Sequence, residues 1–174
     1  MSIKVSIDAS GGDFGFSVTI NAGIKALKTY DDLMVNFVGD KAGIENELNN
    51  NSSYSKFADR INITHASEVI NMSDSPSVAL RHKKDSSMRV AINLVKNGEA
   101  DACVSAGNTG ALMSIARFVL KTIKGVDRPA IMSAVPTLTG PTHVLDLGAN
   151  IDSKPSTLLQ FAIMGSIAVQ NTEN

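Results

Sequence analysis

The sequence predicts an α/β protein with a doubly wound, mostly parallel sheet that carries helices on both faces. Short runs rich in β-branched residues alternate along the chain with amphipathic or small-residue stretches. This alternation is typical of parallel strands joined by crossover helices. A second observation is that three of the predicted strands are followed by segments rich in Gly, Asn, Asp or Ser. Because ligands of such sheets bind at the carboxyl ends of the strands, these loops form the candidate site.

The predicted strands show period-two alternation or a short apolar run bounded by turn residues. They lie at residues 3–7, 33–38, 61–65, 102–105, 130–135 and 143–147. The predicted helices carry apolar residues at helical spacing and lie at residues 17–28, 42–48, 87–96, 111–121 and 157–169. The last helix is apolar on most sides, so we expect it to be mostly buried. The resulting order is β-α-β-α-β-α-β-α-β-β-α.

Composition limits the possible function classes. The chain has 174 residues, 17 acidic and 16 basic side chains and a formal charge of −1, so it lacks the strongly basic character of a general nucleic-acid binder. A single Cys excludes a disulfide within the chain and favours a reducing compartment. No signal-peptide pattern is present, and no apolar run approaches the ~20 residues that span a bilayer. We expect a soluble, intracellular α/β domain over residues 1–174.

The first candidate loop follows the strand at residues 3–7 and reads Asp-Ala-Ser-Gly-Gly-Asp-Phe-Gly from Asp8. The pair Gly11 and Gly12 lets the backbone come close to a ligand and exposes N–H groups. Asp8 and Asp13 are candidate substrate-binding side chains. The alternative is a tight turn in which Asp8 or Asp13 caps the following helix. Composition supports the two interpretations equally.

The second candidate loop, Ser-Ala-Gly-Asn-Thr-Gly from Ser105, lies between a predicted strand and a predicted helix. We therefore expect its N–H groups at a helix N-terminus, where the helix dipole favours an anion. The glycine spacing matches neither the Walker A pattern GxxxxGK[ST] nor the dinucleotide pattern GxGxxG. Phosphate binding is the favoured interpretation. The alternative is that Asn108 or Thr109 only caps the helix.

The third candidate loop reads Asp-Leu-Gly-Ala-Asn-Ile-Asp from Asp146, again at a predicted strand end. Asp146, Asn150 and Asp152 are candidates to hydrogen-bond a ligand or to ligate a cation. Two carboxylates make a weak metal site, and a capping role for Asp152 or Ser153 is the favoured interpretation there. The sequence predicts neither a metal nor a cofactor.

A basic segment at residues 81–89 reads Arg-His-Lys-Lys-Asp-Ser-Ser-Met-Arg. Such a run is commonly a solvated surface. The functional alternative is that Lys84, Ser86 and Ser87 contact an anion while the outer charges face an acidic partner. Ser86 or Ser87 is also suited to cap the following helix. The candidate docking residues are Arg81, Lys83 and Arg89.

Other reactive residue types carry little weight. Cys103 lies within a predicted buried strand, so we expect a core residue and not a nucleophile. His65, His82 and His143 lack metal-ligand spacing, and no GxSxG elbow is present.

Five segments of the chain occur in a recognisable order. They are IDASGGDFG, KKDSSMRVA, ADACVSAGNTGALM, RPAI and VLDLGANID. Together they resemble the N-terminal half of the PlsX family, the bacterial phosphate acyltransferases of phospholipid synthesis, and the resemblance extends to QFAIMGS at residues 160–166. Ser10 stands where this family often has Met, and Phe16 where it often has Pro.

The resemblance implies an enzyme that converts acyl-[acyl carrier protein] and inorganic phosphate to acyl phosphate and free carrier protein, which feeds phosphatidic acid synthesis. It implies a fold similar to the phosphotransacetylase and isocitrate-dehydrogenase-like group, with a cleft between two parts. Family members are longer than this chain and typically dimeric. We therefore expect the N-terminal portion of a two-part cytoplasmic homodimer, peripherally associated with the membrane or with a membrane acyltransferase.

In the expected mechanism, N–H groups of residues 107–110 hold phosphate, and an oxygen of that phosphate attacks the thioester carbonyl. Donors from the loop at residues 11–12 or from Asn150 stabilise the developing oxyanion. The candidate catalytic residues are Lys84, Asn108 and Asn150. The candidate phosphate- and substrate-binding residues are Asp8, Gly11, Gly12, Asp13, Ser86, Ser87, Ser105, Gly107, Thr109, Gly110, Asp146 and Gly148.

Three alternatives are open. The first is a phosphotransacetylase-like transfer between acyl-coenzyme A and phosphate. The second is a nicotinamide dehydrogenase, which the absence of GxGxxG disfavours. The third is a non-catalytic module that binds acyl carrier protein through residues 81–89.

Overall fold

The computed structural model describes residues 2–172, which fold as two compact units that divide between Leu120 and Lys121. The first unit contains a four-stranded parallel sheet. Its strands are β1 (Ile3–Asp8), β2 (Leu33–Gly39), β3 (Ile61–His65) and β4 (Ala102–Ser105), in the order β3-β2-β1-β4. All four were predicted within two residues of their bounds. A single domain over residues 1–174 stays a prediction.

Five α-helices belong to the first unit. They are α1 (Phe16–Thr29), α2 (Lys41–Asn50), α3 (Pro76–His82), α4 (Ser87–Lys96) and α5 (Thr109–Leu120). Two short 3-10 turns, Tyr54–Lys56 and Ala58–Arg60, precede β3. Four of the α-helices were predicted, and α3 was not. Its start has an ordinary sequence signal, since Ser75 caps the helix by accepting a hydrogen bond from the Val78 N–H and Pro76 occupies the first helical position.

Helices cover both faces of the sheet, which confirms the doubly wound class. On one face, α1 and α2 pack on β2 around Phe37 and Ile24, which are both almost fully buried. On the other face, α4 packs under Val38, and the Ser6 hydroxyl donates a hydrogen bond to the Ala91 carbonyl at 2.9 Å. A further apolar cluster joins α3, α4 and α5 around Ile92 and Ile115. Alternate residues of the strands thus supply two separate cores.

The second unit consists of β5 (Met132–Thr137), β6 (Gly140–Leu145) and α6 (Pro155–Thr172). The two predicted strands exist, but they form an antiparallel hairpin and do not extend the parallel sheet. Only two residues separate them, and such a connection joins only antiparallel neighbours. Gly140 has φ +123°, a conformation that side chains other than glycine rarely adopt.

The burial expected for α6 is wrong. Only Thr157 and Phe161 of this helix are buried, whereas Leu159 is 63% exposed and Ile167 is 54% exposed. Within its own unit α6 packs on β6, and one narrow strand covers one stripe of a helix. Among residues 2–172, no helix is both long and apolar enough to cross a membrane.

Candidate anion-binding site

Two of the three predicted loops meet at the carboxyl edge of the sheet. Strands β1 and β4 are parallel neighbours, and Asp8 lies opposite Ser105 in their register. The loop after β1 and the loop before α5 therefore start side by side. This is the edge at which open parallel sheets bind their ligands.

A chain of hydrogen bonds joins these two loops. The Ser105 hydroxyl donates to Asp8 Oδ2 at 2.7 Å, and the Gly107 N–H donates to Ser105 Oγ at 3.1 Å. Asp8 is only 1% exposed, and its other oxygen, Oδ1, is buried without a hydrogen-bond partner among the described residues. Asp8 and Ser105 thus fix the position of the second loop through the Gly107 N–H.

The glycine pair permits the close approach of the two loops. A Cβ on Gly11 would lie within van der Waals overlap of the Asp8 carboxylate and 3.2 Å from the Gly107 nitrogen. Gly12 has φ +85°, and a Cβ there would lie 3.0 Å from the Ala106 carbonyl oxygen. Asp13 is exposed at the rim of this loop. Glycine at both positions therefore allows the two loops to pack against each other.

Neither aspartate of the first loop caps α1. The N-cap residue is Gly15, which makes no side-chain capping hydrogen bond. The capping alternative for Asp8 and Asp13 is thus wrong, because Asp8 is turned into the β1–β4 interface instead.

Asn108 is the N-cap of α5. Its Oδ1 accepts a hydrogen bond from the Ala111 N–H at 3.0 Å. Its side-chain amide donates to the carbonyls of Asn71, Met72 and Asp74 at 3.3, 3.0 and 2.9 Å. The side chain therefore both caps the helix and fastens the loop at residues 71–74. Its amide hydrogens are directed at this loop and not at the solvent.

The first turn of α5 is open to solvent next to this cap. Thr109 and Gly110 are exposed, and the first N–H groups of a helix have no acceptor within it. A Cβ on Gly110 would lie 2.9 Å from Pro76 Cγ, so α3 borders the turn closely. The free N–H groups and the positive end of the helix dipole together suit an anion.

Not every cation of the basic segment at residues 81–89 is available to a ligand, because Lys83 already has an ion-pair partner. Lys83 Nζ lies 2.6 Å from Asp74 Oδ2 and donates a second hydrogen bond to the Val69 carbonyl at 2.6 Å. The Lys83 ammonium lowers the pKa of Asp74, with a further contribution from the Asn71 N–H. Lys83 thus connects the C-terminal end of α3 to Val69 and Asp74. The same loop accepts the hydrogen bonds of the Asn108 amide.

The other cations of this segment differ in their surroundings. Arg81 and Lys84 are exposed. Arg89 is partly buried, and its guanidinium lies 5.3 Å from the centre of the Phe118 ring, within cation–π distance. Of the three predicted docking residues, Arg81 therefore has the most accessible charge.

Ser86 and Ser87 are buried, although they were predicted to face an anion. The Ser86 hydroxyl donates to the Lys83 carbonyl at 2.8 Å and accepts from the Arg89 N–H at 3.4 Å, so it is the N-cap of α4. Ser87 is 1% exposed, and its N–H donates to the Glu68 carbonyl at 3.0 Å. The capping interpretation is confirmed for Ser86.

The third loop lies in the second unit, and its polar side chains bond within the loop and to the segment before β5. Asp146 Oδ1 accepts a hydrogen bond from the Ile131 N–H at 2.9 Å, and Oδ2 accepts from the N–H and the side-chain amide of Asn150 at 2.8 and 2.9 Å. Burial acts to raise the pKa of Asp146, but these hydrogen bonds outweigh it and lower the pKa. Gly148 has φ +75° and faces open space.

Two further features limit the possible chemistry. Burial raises the pKa of the Cys103 thiol to about 11, so it carries no nucleophilic thiolate near neutral pH. Cys103 packs against two of the apolar clusters, as predicted for a core residue. Within residues 2–172, no three His, Cys, Asp or Glu side chains converge as metal ligands.

Sequence reasoning missed the segment that faces the site. The loop at residues 67–74 is held at one end by Asp85, which accepts hydrogen bonds from the N–H and hydroxyl of Ser67 at 2.9 and 2.5 Å. Asn108 and Lys83 hold its other end. The polar Ser-Asp-Ser-Pro run before α3 was the available signal, since it is a typical helix start.

The fold and these loops define a doubly wound α/β protein with a candidate anion site at the start of α5. The chain matches the family described as "Fatty acid synthesis protein" over residues 3–174, and it belongs to that family. It is 66% identical to the phosphate acyltransferase of Ruthia magnifica subsp. Calyptogena magnifica over 174 residues, which is all of this chain and 51% of the relative.

Two further relatives have the same name. The phosphate acyltransferase of Methylococcus capsulatus is 55% identical over 169 residues, covering 97% of this chain and 49% of the relative. That of Legionella pneumophila strain Paris is 54% identical over 173 residues, covering 99% and 50%. The chain thus spans about half the length of these relatives. The resemblance drawn from the sequence motifs is confirmed.

Proposed function

We propose that this chain is part of an acyltransferase that converts acyl-[acyl carrier protein] and inorganic phosphate to acyl phosphate and free carrier protein. The single observation that carries the proposal is the joining of two glycine-rich loops through Asp8 and Ser105 beside the open first turn of α5. The family and the names of the relatives support phosphate as one substrate.

The phosphate site of this proposal is built from backbone N–H groups. Thr109 and Gly110 supply donors at the positive end of α5. Lys84 is the exposed cation that precedes α4, and the first turn of α4 reaches this edge of the sheet, because Met88 Cε would lie 3.0 Å from a Cβ on Gly107. Lys84 is therefore our candidate for neutralising phosphate charge.

Asn108 was predicted to be a catalytic residue, and we propose a different role for it. Its amide is committed to three carbonyls, so we propose that it acts as a positioning residue for the loop at residues 71–74 and for α5. Asp8 and Ser105 position the same turn through Gly107.

The proposed reaction needs no covalent enzyme intermediate. A phosphate oxygen attacks the thioester carbonyl carbon, and the carbonyl oxygen takes up negative charge as the tetrahedral intermediate forms. The Gly12 N–H is the candidate donor to that oxygen. The Gly11 N–H donates to the Asp8 carbonyl at 3.4 Å, and the side-chain amide of Asn150, also predicted for this role, donates to Pro129 and Asp146. The carbon–sulfur bond then breaks and the thiolate leaves. Because a thiol has a pKa of roughly 8.5, this leaving group needs no strong acid catalyst.

Acyl carrier protein is the proposed partner, since an acidic partner needs a local basic surface. Arg81, Lys83 and Arg89 were the docking candidates, and the Lys83–Asp74 ion pair leaves Arg81 as the principal one. Homodimer formation, a cytoplasmic location and peripheral association with a membrane or membrane acyltransferase are further parts of the proposal.

The phosphate assignment is tested in a full-length protein that contains this chain. Acyl phosphate formed from palmitoyl-carrier protein and phosphate is trapped with hydroxylamine and quantified. We expect Lys84→Ala to raise the KM for phosphate by roughly 10- to 100-fold, the loss of one charge-assisted hydrogen bond. Lys56→Ala, at an exposed lysine of a 3-10 turn, is the matched control. Wild-type KM values in both variants would remove Lys84 from the site.

The carrier-protein assignment is tested with Arg81→Glu in α3, for which Lys96→Glu at the C-terminal end of α4 is the control. The first variant should raise the KM for acyl carrier protein and leave that for phosphate unchanged. The effect should shrink with added salt, since the Debye length is already ~8 Å at physiological ionic strength. Faster turnover of acyl-coenzyme A than of acyl-carrier protein would favour the phosphotransacetylase-like alternative instead. Binding of carrier protein without consumption of phosphate would indicate the non-catalytic module.

A further inference from the structure

The buried carboxylate of Asp8 has one oxygen that the fold leaves without a hydrogen-bond donor. Its Oδ2 accepts from the Ser105 hydroxyl at 2.7 Å, whereas Oδ1 is buried and has no partner among the described residues. No basic side chain within residues 2–172 forms an ion pair with Asp8 either. Leaving a buried acceptor unpaired destabilises a fold, and a charged acceptor does so more strongly. Oδ1 therefore points to a donor that the fold itself does not supply.

This carboxylate lies between the two glycine-rich loops of the candidate site. A Cβ on Gly11 would overlap it, and a Cβ on Gly107 would lie 3.5 Å from its Oδ2. Gly107 is two residues before Thr109, where the exposed first turn of α5 begins. An anion bound to that turn would therefore come close to a negatively charged acceptor as well as to N–H donors.

The second buried polar atom without a partner, Ser10 Oγ, lies on the other side of the first loop. A Cβ on Gly39, at the end of β2, would lie 2.6 Å from Ser10 Oγ. Ser105, the partner of Asp8, ends β4, and β1 lies between β2 and β4. Asp8 and Ser10 thus extend toward different neighbours of β1, and Ser10 does not supply the donor that Asp8 lacks.

The protonation of tetrahedral oxyanions decides which of them suits such an acceptor. Inorganic phosphate keeps at least one proton near neutral pH, so one of its oxygens is an O–H donor. Arsenate has the same property, whereas sulfate is fully ionised and offers acceptors only. A sulfate oxygen placed against a carboxylate would leave both groups unpaired and repelling each other. A site built to hydrogen-bond an O–H strongly rejects an analogue that lacks it.

We propose that Asp8 determines the specificity of the anion site by accepting a hydrogen bond from the O–H of a protonated oxyanion. The N–H groups at the start of α5 hold the ionised oxygens of that anion, and Asp8 Oδ1 holds the protonated oxygen. The site therefore takes phosphate and excludes sulfate. This inference rests on the proposed function, because it names the oxygen of phosphate that the first loop recognises.

Access to Asp8 requires a movement of the first loop, because the side chain is only 1% exposed. Gly11 and Gly12 give the loop the conformational freedom for this movement. Closure of the loop over the bound anion would also exclude water, which strengthens both the attraction of the O–H and the repulsion of an ionised oxygen.

The test compares the binding of three oxyanions to a full-length protein that contains this chain. Isothermal titration calorimetry measures the Kd values of inorganic phosphate, arsenate and sulfate at neutral pH and constant ionic strength. We expect arsenate to bind within about tenfold of phosphate, and sulfate to bind at least about 100-fold more weakly. A smaller difference between sulfate and phosphate would overturn the inference and leave the proposed function standing. An absence of phosphate binding would overturn both.

Two variants separate the charge of Asp8 from the position of the turn. Asp8→Asn lets the amide oxygen take the hydrogen bond of the Ser105 hydroxyl and places an N–H donor at the position of Oδ1. Sulfate should then bind within about tenfold of phosphate. Ser105→Ala keeps the charge of Asp8 but removes its bond to the second loop. It should weaken the binding of phosphate and arsenate and keep the rejection of sulfate.

Two control variants should leave the selectivity unchanged. Asp31→Asn removes the same charge at an exposed position between α1 and β2, at the opposite edge of the sheet. Ser10→Ala removes the other buried atom without a partner. Rejection of sulfate by a folded Asp8→Asn protein, or equal loss of selectivity in Asp8→Asn and Ser105→Ala, would overturn the role of Asp8. If circular dichroism shows that Asp8→Asn does not fold, the oxyanion series of the unmodified protein and Ser105→Ala decide the question.

Discussion

The two units of this chain bury their helices to very different extents. In the first unit, α1 places Ile20, Ile24 and Leu27 in a core, each at most 1% exposed. In the second unit, α6 is four residues longer and equally rich in apolar side chains, yet Leu159 and Ile163 are more than half exposed. Among the described residues, all three buried apolar clusters lie in the first unit.

The difference shows that an apolar helix is buried only to the extent that its partner surface allows. Helix α1 lies on a four-stranded sheet, whereas α6 packs on one strand of a hairpin whose own residues are mostly exposed. An isolated two-stranded hairpin is only marginally stable in water. We therefore expect the free energy of unfolding to come mainly from the first unit.

The largest expected effect comes from one substitution made in both helices. Ile24→Ala removes a fully buried side chain and should lower the free energy of unfolding by about 2–5 kcal/mol. Ile163→Ala, at a position 52% exposed, should cost less than about 1 kcal/mol. Urea unfolding followed by circular dichroism measures both. Equal losses would mean that α6 is covered in solution.

The second comparison uses Asn108 of the second candidate loop and Asn150 of the third. Asn108→Ala removes the cap of α5 and three hydrogen bonds to the loop at residues 71–74, so we expect a loss of about 2–3 kcal/mol. Asn150→Ala removes bonds to Asp146 and Pro129 in a half-buried loop, with an expected loss of about 1 kcal/mol.

Asn108→Asp separates the two roles of this side chain, because a carboxylate still caps the helix but donates nothing to the carbonyls. It should leave hydrogen exchange at residues 71–74 fast and recover none of the loss in stability, because the buried carboxylate faces carbonyl oxygens. Full recovery of both properties would contradict the positioning role of the amide.

The third comparison concerns two glycines. Gly11→Ala places a methyl group against Asp8 and Gly107, and we expect a loss of about 1–3 kcal/mol with shifted NMR resonances at residues 105–107. Gly148→Ala has open space but must keep φ +75°, which should cost about 1 kcal/mol. A smaller loss for Gly11→Ala than for Gly148→Ala would mean that the two loops of the first unit are not held together.

The smallest expected effects concern Asp74 and Asp146. The pKa of each is lowered, but only that of Asp74 is lowered by a cation. The Lys83 ammonium lowers the pKa of Asp74, whereas N–H groups lower that of Asp146 against its burial. Because each folded pKa lies below the unfolded value of 3.8, each carboxylate stabilises the fold above that pH. The contribution is lost as the pH falls through the folded pKa.

Carbon-13 NMR titration of the two carboxyl groups measures these pKa values. Lys83→Met should raise the pKa of Asp74 and leave that of Asp146 unchanged. Asn150→Ala should raise the pKa of Asp146 and leave that of Asp74 unchanged. Salt at 1 M, where the Debye length is ~3 Å, should raise the pKa of Asp74 more than that of Asp146. The same salt response at both sites would contradict the assigned causes.

Local sequence determined much of the first unit. Apolar alternation located β1 to β4, because successive side chains of a strand face opposite cores. Helical spacing located α1, α2, α4 and α5, and the glycines marked two loops that do meet. The short helix α3 was missed because seven residues carry little periodic signal, and its stability comes from Ser75 and from packing on α5.

Tertiary structure decided the partners, which local sequence does not encode. Asn108 binds carbonyls 34 to 37 residues away, and Ser105 binds Asp8 across 97 residues, so only the folded sheet brings these groups together. The apolar composition of α6 set its preference for burial but not the surface available to cover it. Sequence thus determined which segments are strands, helices and loops, since those depend on neighbours along the chain. Burial and the roles of site residues depend on neighbours in space, and only the fold decided them.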